Sequence, residues 1–256
     1  MTKELKPLFE PKGVIVTGVS SHPGKFGFVA LHNILSCGYK GEVFAIGREE
    51  SIVLEQRVFT SLDSVPKDAA DLIVLCTPVE VNEEMVRRAS EKGVKAVFCA
   101  AGGYSETGEK GLQAEKRLVS LTEELDLVLA GPNGQGVVSP HVGLCAQIVA
   151  PYAPKGRIGV VSQSGNFVSS FLNYANQTGI GISRSVSAGN AAATEIIDFL
   201  EWFAIDPKTD VALCYLEGLD DGRDFFERVK EITREMPVVL VKGGTTIGGQ
   251  RAAASH

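Results

Sequence analysis

Short apolar runs alternate with amphipathic stretches along the whole chain. Val14-Ile15-Val16-Thr17-Gly18-Val19 has almost no polar break and predicts a strand buried on both faces. It runs into Ser20-Ser21-His22-Pro23-Gly24-Lys25-Phe26-Gly27, after which Phe28, Leu31 and Leu35 mark one helical face, closed by Gly38. Further strands are expected at Glu42 to Ile46, Asp71 to Cys76, Ala96 to Ala100 and Leu127 to Ala130. Helices are expected around Val81 to Glu91 and through Ala114, Leu118, Leu121 and Leu125. Residues 1–12, polar apart from Leu8-Phe9, are expected to lie across this sheet. Strands alternating with helices predict an α/β fold with a doubly wound parallel sheet over residues 1–135.

Gly131-Pro132-Asn133-Gly134 interrupts the alternation, and residues 136–154 are expected to be an irregular linker. A second, smaller parallel α/β unit is expected over residues 155–256. Its strands are Ile158 to Val161, Ile182 to Val186, Val211 to Leu216 and the run from Val238; its helices carry Phe167, Phe171 and Tyr174, then Ile196, Leu200 and Phe203, then Phe225, Val229 and Ile232. The last stretch is a Gly-rich turn, small residues, Arg251, and one imidazole, His256, an expected anion-binding loop that delivers a nucleophile. With no closing helix behind it, the chain reads as part of something longer.

Composition changes this picture only by exclusion. With 44% hydrophobic and 22% charged residues the chain can bury a real core, and a formal net charge of −6 argues against a nucleic-acid partner. Any anion site must therefore be local. The five cysteines, Cys37, Cys76, Cys99, Cys145 and Cys214, form no C-x-x-C pair and are scattered, which fits free thiols in a reducing compartment. His22, His32 and His141 have no metal-ligand spacing to another His or Cys, so no metal site is expected. No membrane span or signal peptide is visible, and a cytoplasmic protein is expected.

In open parallel sheets ligands bind beyond the carboxyl ends of the strands, so the residues after each strand carry the chemistry. In the first unit Gly18, Ser20, Ser21, Gly24, Lys25, Phe26 and Gly27 put glycines, hydroxyls and a lysine at a helix N-terminus, a combination suited to a pyrophosphate. The second strand ends in Ile46-Gly47-Arg48 where a NAD site would want a carboxylate. Arg48 suits a ribose-bound phosphate, which leaves coenzyme A and NADP both open. Thr77-Pro78 offers a wall for an adenine, Gly103 a close backbone approach, and Asn133 an amide in the same crevice. In the second unit Ser162-Gln163-Ser164-Gly165-Asn166 gathers hydroxyls, an amide and unpaired N–H groups at a helix N-terminus, a candidate phosphate site. Glu217, at the end of the next-but-one strand, is placed to accept from an imidazole N–H and fix its tautomer.

These residues carry a resemblance. Val16-Thr17-Gly18-Val19-Ser20 with Pro23-Gly24-Lys25-Phe26-Gly27, Gly131-Pro132-Asn133, Val161-Ser162-Gln163-Ser164-Gly165, Tyr215-Leu216-Glu217-Gly218 and Arg251-Ala252-Ala253-Ala254-Ser255-His256 resemble the NDP-forming acyl-CoA synthetases, relatives of the succinyl-CoA synthetase α subunit. The resemblance covers essentially the whole chain. It implies a Rossmann-like CoA-binding domain followed by a succinyl-CoA ligase-like flavodoxin domain. It also implies a phosphorylated His256 supported by Glu217, and phosphate held by the Ser162-Gln163-Ser164 loop. The implied reaction interconverts acyl-CoA, phosphate and ADP or GDP with a carboxylic acid, CoA and the nucleoside triphosphate, through an acyl phosphate and a phosphohistidine.

Two departures stand out. The family's Gly-Pro-Asn-Cys is here Gly131-Pro132-Asn133-Gly134, which removes a thiol and predicts an altered acyl pocket. The ATP-grasp part that binds Mg-ATP is missing, so an ATP-grasp subunit or fused domain, in a homo- or hetero-oligomer, is the expected partner. Two other classes compete: a CoA-binding regulatory module, which retention of His256 and Glu217 argues against, and an NADP-binding reductase, for which no dinucleotide fingerprint is found.

Overall fold

The computed structural model describes residues 2–149, 152–219 and 221–244. Two sheets carry the fold. The first has seven strands, β1 Gly13–Val19, β2 Glu42–Gly47, β3 Ser51–Val53, β4 Gln56–Phe59, β5 Leu72–Leu75, β6 Ala96–Cys99 and β7 Val128–Ala130, in the order β3-β4-β2-β1-β5-β6-β7. β1 lies at its centre and is buried along almost its whole length, which is why its sequence reads as one apolar run. Helices α2 Phe26–Ser36, α3 Val79–Glu91 and α4 Glu109–Glu124 make the crossovers.

The second sheet has six strands in the order β13-β12-β10-β11-β8-β9: β8 Gly136–Ser139, β9 Leu144–Gln147, β10 Lys155–Ser162, β11 Ile182–Ser187, β12 Val211–Leu216 and β13 Val238–Lys242. Helices α5 Gly165–Thr178, α6 Ile196–Ile205 and α7 Gly222–Ile232 follow β10, β11 and β12. The neighbours of β10 are parallel to it, as expected.

Three stretches differ from expectation. Residues 136–154 were expected to be irregular, yet Gly136–Gln147 forms an antiparallel pair, β8 and β9, added to the second sheet through β11. Two four-residue strands interrupted by Pro140 are too short for their alternation to register in the sequence. The passage between the sheets is therefore only Gly131 to Gln135. A hairpin, β3 against β4, also extends the first sheet. Its turn residues Leu54 and Glu55 both have positive φ, 50° and 65°, the backbone of a type I′ turn without the Asn-Gly signature that would reveal it.

The third difference concerns the N-terminus. Helix α1, Lys6–Phe9, buries Leu5, Leu8 and Phe9 completely, but between the two units rather than on the first sheet alone. The Phe9 ring stacks on Trp202 at 5.0 Å and meets Phe199 edge-on at 6.3 Å, both on α6 of the second unit. Beside it the wholly buried Arg184 donates to Asp206 at 3.0 Å, to Ser139 and to Glu10. One guanidinium thus ties the N-terminal segment to β8, β11 and the loop after α6, with its charge fully paired. Asn33 on α2 adds a second tie, donating to the carbonyls of Gln147 at 2.8 Å and Val149 at 3.0 Å. A single apolar cluster accordingly runs from Leu5 and Val14 through Val137 to Phe203 and Met236.

Candidate active site

Two cavities open at the strand ends, and Phe26 lines both. The larger, of 1050 Å³, lies over the carboxyl ends of β1, β2 and β5. Gly18, Ser20, Ser21, Gly24, Lys25, Phe26, Arg48, Thr77 and Pro78 all line it, so nine of the residues singled out in the first unit share one cavity. Gly18 has φ +68°, and a Cβ there would fall 2.5 Å from the Cys76 carbonyl oxygen. Gly27 works behind the wall: a Cβ on it would meet the Gly18 carbonyl oxygen at 2.3 Å, so its absence lets α2 start directly against the end of β1.

The N-terminus of α2 has no side-chain cap, which leaves its first N–H groups open to the cavity. The side chains of Lys25 and Arg48 make no hydrogen bond or ion pair with another described residue, so both charges are free for a ligand. Val81 and Met85 add an apolar wall that the sequence did not single out. Thr77, by contrast, is engaged: its hydroxyl donates to Asn82 at 2.7 Å, and Asn82 donates to the buried Tyr104 hydroxyl at 2.9 Å. That chain props the floor of the cavity. Burial pushes the nearby Cys99 thiol up to about 12 and Cys76 higher still, so both stay protonated at neutral pH.

The smaller cleft, of 600 Å³, lies between the two sheets. Asn133, Gly134 and Gln135 come from the passage between the units, Gln163, Gly165 and Asn166 from the start of α5, and Glu217 from the end of β12. Asn190, from the stretch after β11, also lines it, as do Ser105 and Glu106, which were not foreseen. Asn190 Nδ2 donates to Ser105 at 3.0 Å, Glu106 at 2.8 Å and Glu115 at 2.7 Å, drawing the loop after β6 onto the loop after β11. Burial opposes the charge on Glu106, but the Asn190 amide and the N–H groups of Gly103 and Tyr104 outweigh it and hold the carboxyl below its ordinary range. Gly103 thus serves this loop, at φ +102°, and lines neither cavity.

The serine-rich turn is arranged inward. Ser162, wholly buried, donates to the Ser164 carbonyl and accepts from its N–H, both at 2.9 Å, and Ser164 Oγ caps α5 by accepting from Phe167 N–H at 3.5 Å. Gln163 Oε1 accepts from the N–H groups of Glu217 at 2.6 Å and Gly218 at 3.1 Å, while Nε2 donates to the Gly218 carbonyl at 3.1 Å. Its amide holds the Leu-Glu-Gly turn in place. The groups this turn offers to the cleft are the N–H donors of Gly165 and Asn166, which precede the helix's first internal bonds. The Glu217 carboxylate faces the same cleft without a hydrogen bond or ion pair to any described residue. His256 lies outside the described residues.

Among known proteins, a CoA binding domain model matches residues 12–140 and a succinyl-CoA ligase like flavodoxin domain model matches residues 155–256. Acetate–CoA ligase (ADP-forming) I subunit alpha of Pyrococcus furiosus is 34% identical, covering 98% of this chain and 55% of that protein. Acetate–CoA ligase (ADP-forming) I of Archaeoglobus fulgidus is also 34% identical, over 98% of this chain and 36% of that protein. The chain therefore spans about a third to a half of the length of these relatives. The solved acetyl-coenzyme A synthetase 1 of Ca. Korarchaeum cryptofilum, in complex with phosphate and ADP, superposes with a TM-score of 0.90 at 31% identity, covering 99% of this chain and 54% of that one. The chain belongs to the NDP-forming acyl-CoA synthetase family, with a CoA-binding domain in front of a succinyl-CoA ligase-like flavodoxin domain.

Proposed function

We propose that this chain is the catalytic segment of an ADP-forming acyl-CoA synthetase. Residues 1–135 hold CoA in the larger cavity: the α2 N-terminus and Lys25 take the pyrophosphate, Arg48 the ribose phosphate, and Pro78 with Val81 and Met85 the adenine. Residues 155–256 hold the phosphoryl group in the cleft. The observation that carries this reading is that Phe26 lines both a cavity with free cationic groups and a cleft lined by free helix N–H groups and a carboxylate unpaired among the described residues.

A phosphate oxygen held at Gly165 and Asn166 attacks the thioester carbonyl; the C–S bond breaks, and the CoA sulfur leaves and takes up a proton. A nitrogen of His256 then attacks phosphorus, the bond from phosphorus to the acyl oxygen breaks, and the carboxylate is released. ADP, bound by an ATP-grasp subunit or domain, takes the phosphoryl group and restores the imidazole. Glu217 accepts from one imidazole N–H, which leaves the other nitrogen as the nucleophile. Helix N–H groups neutralise the transferring oxyanions without reorganising.

The test uses the full protein with its ATP-grasp part, γ-labelled ATP and magnesium. Acid-labile, base-stable label on His256 is expected. No label, or equal label in His256→Ala, removes this reading.

A further inference from the structure

Among the described residues of the cleft wall, Gln135 is the half-buried amide whose side chain makes no hydrogen bond. Gln163 holds the turn at Glu217-Gly218, Asn190 bridges Ser105, Glu106 and Glu115, and Asn133 donates to Asn190 at 3.4 Å. The side chain of Gln135 makes no hydrogen bond to any described residue, and its Oε1 is fully buried without a donor among them. Leaving an amide oxygen buried and unpaired costs stability, so the fold gains no hydrogen bond from this side chain.

Its position is held firmly. The Gln135 N–H donates to Ser187 Oγ at 3.0 Å, and its carbonyl accepts from Ile148 N–H at 2.8 Å. The side chain lies over the first residue of α5: a Cβ built on Gly165 would stand 2.3 Å from Gln135 Cδ and 2.5 Å from its Nε2. The amide therefore covers the helix end whose N–H groups are free. Its neighbour cannot share the task, because a Cβ on Gly134 would lie 2.4 Å from the Ser187 carbonyl oxygen and 2.8 Å from Phe98 Cζ. Where the resembling sequences carry cysteine there is no room here for a thiol, and the side chain that reaches the cleft comes from the next residue.

We infer that Gln135 is a catalytic residue of the acyl-transfer step: its Nε2 donates to the carbonyl oxygen of the thioester as that oxygen gains charge under attack by phosphate. The assignment rests on the synthetase reading above. Phe26, Gln135, Gly165 and Asn166 line one cleft, so a phosphate at the α5 N-terminus and a thioester arriving past Phe26 share it with this amide, and a side-chain amide donating to a developing oxyanion is a recurrent device of acyl transfer. The proposed donor shares no bond with the phosphoryl transfer from His256, so the two half-reactions respond differently to its loss.

The experiment compares wild type, Gln135→Leu and Gln135→Met in the full protein with its ATP-grasp part. Two readouts are taken: phosphorylation of His256 by labelled ATP, and CoA-dependent turnover of a carboxylic acid. Both variants keep the bulk over Gly165 and lack the donor, so one serves if the other does not fold. The expected result is a fall of about 10²-fold in kcat for acyl transfer, with the rate and extent of His256 labelling and the KM for CoA unchanged. Unchanged acyl transfer, or an equal loss in both readouts, overturns the proposal; the second outcome makes Gln135 a phosphoryl ligand or a structural prop. Absence of label in the wild type is a separate failure, that of the synthetase reading itself.

Discussion

The two strand-to-helix turns, one in each sheet, solve the same problem in opposite ways. After β1 the side chains of Ser20, Ser21 and Lys25 line the larger cavity, joined by Arg48 from the end of β2, and α2 begins without a side-chain cap. After β10 the side chains of Ser162, Gln163 and Ser164 turn inward and hold the loop, so that backbone N–H groups face the cleft. The first arrangement suits a long ligand gripped at several separate points. The second suits a small anion that must be held rigidly and then released, since a preorganised cradle needs no side chain to move. The largest effects should therefore come from the few unpaired groups of the cleft, and graded effects from the cavity.

The largest is expected at Glu217. Glu217→Gln keeps the shape but loses the charge proposed above to favour one imidazole tautomer, and phosphoryl turnover through His256 should fall by about 10²-fold or more. CoA affinity, measured by calorimetry, should stay within twofold of wild type, because Glu217 lines only the cleft. A parallel loss of CoA binding would mean that the cavity and cleft are not separate devices.

An intermediate effect is expected at Arg48. Its free guanidinium sits at the exposed rim of the larger cavity, where a charge-assisted contact to a phosphate contributes about 1.5 kcal/mol, a little over tenfold in affinity. Arg48→Ala should weaken CoA by that factor and leave dephospho-CoA unaffected, in titrations at fixed salt. Equal weakening of both ligands would move the ribose phosphate elsewhere, with Lys25 as the next group to examine.

How much of this was legible in the chain depends on where each signal lies. Strands buried on both faces announce themselves as apolar runs, and the glycines of the first turn mark a place where backbone must approach backbone, as Gly27 does at Gly18. The β3–β4 hairpin stayed hidden because Leu54 and Glu55 adopt positive φ without the usual turn residues, and β8 and β9 because four residues are too few for a period. In the site, the Ser162 loop was found for its position; its two serines turn onto partners two and three residues away, but the inward turn of Gln163 is decided by Glu217 and Gly218, more than 50 residues away. Glu106 and Gln135 had no local signal at all, and Asn190 only its place just after a strand. They matter because two sheets meet across a five-residue passage, and no pattern within one element encodes that meeting.

The smallest effect separates a capping role from a ligand role within the serine turn. Ser164 Oγ accepts from Phe167 N–H at 3.5 Å, a long cap, and the residue is largely buried, so Ser164→Ala should cost about 0.5–1 kcal/mol of stability. For a chain of this size that is a fall of about 2 °C in melting temperature. Phosphate affinity should be unchanged, because the donors that face the cleft belong to the backbone of Gly165 and Asn166. If instead phosphate or turnover is lost tenfold while the melting temperature holds, the hydroxyl turns outward when the anion binds. The two turns would then be alike after all, each gripping its ligand with side chains.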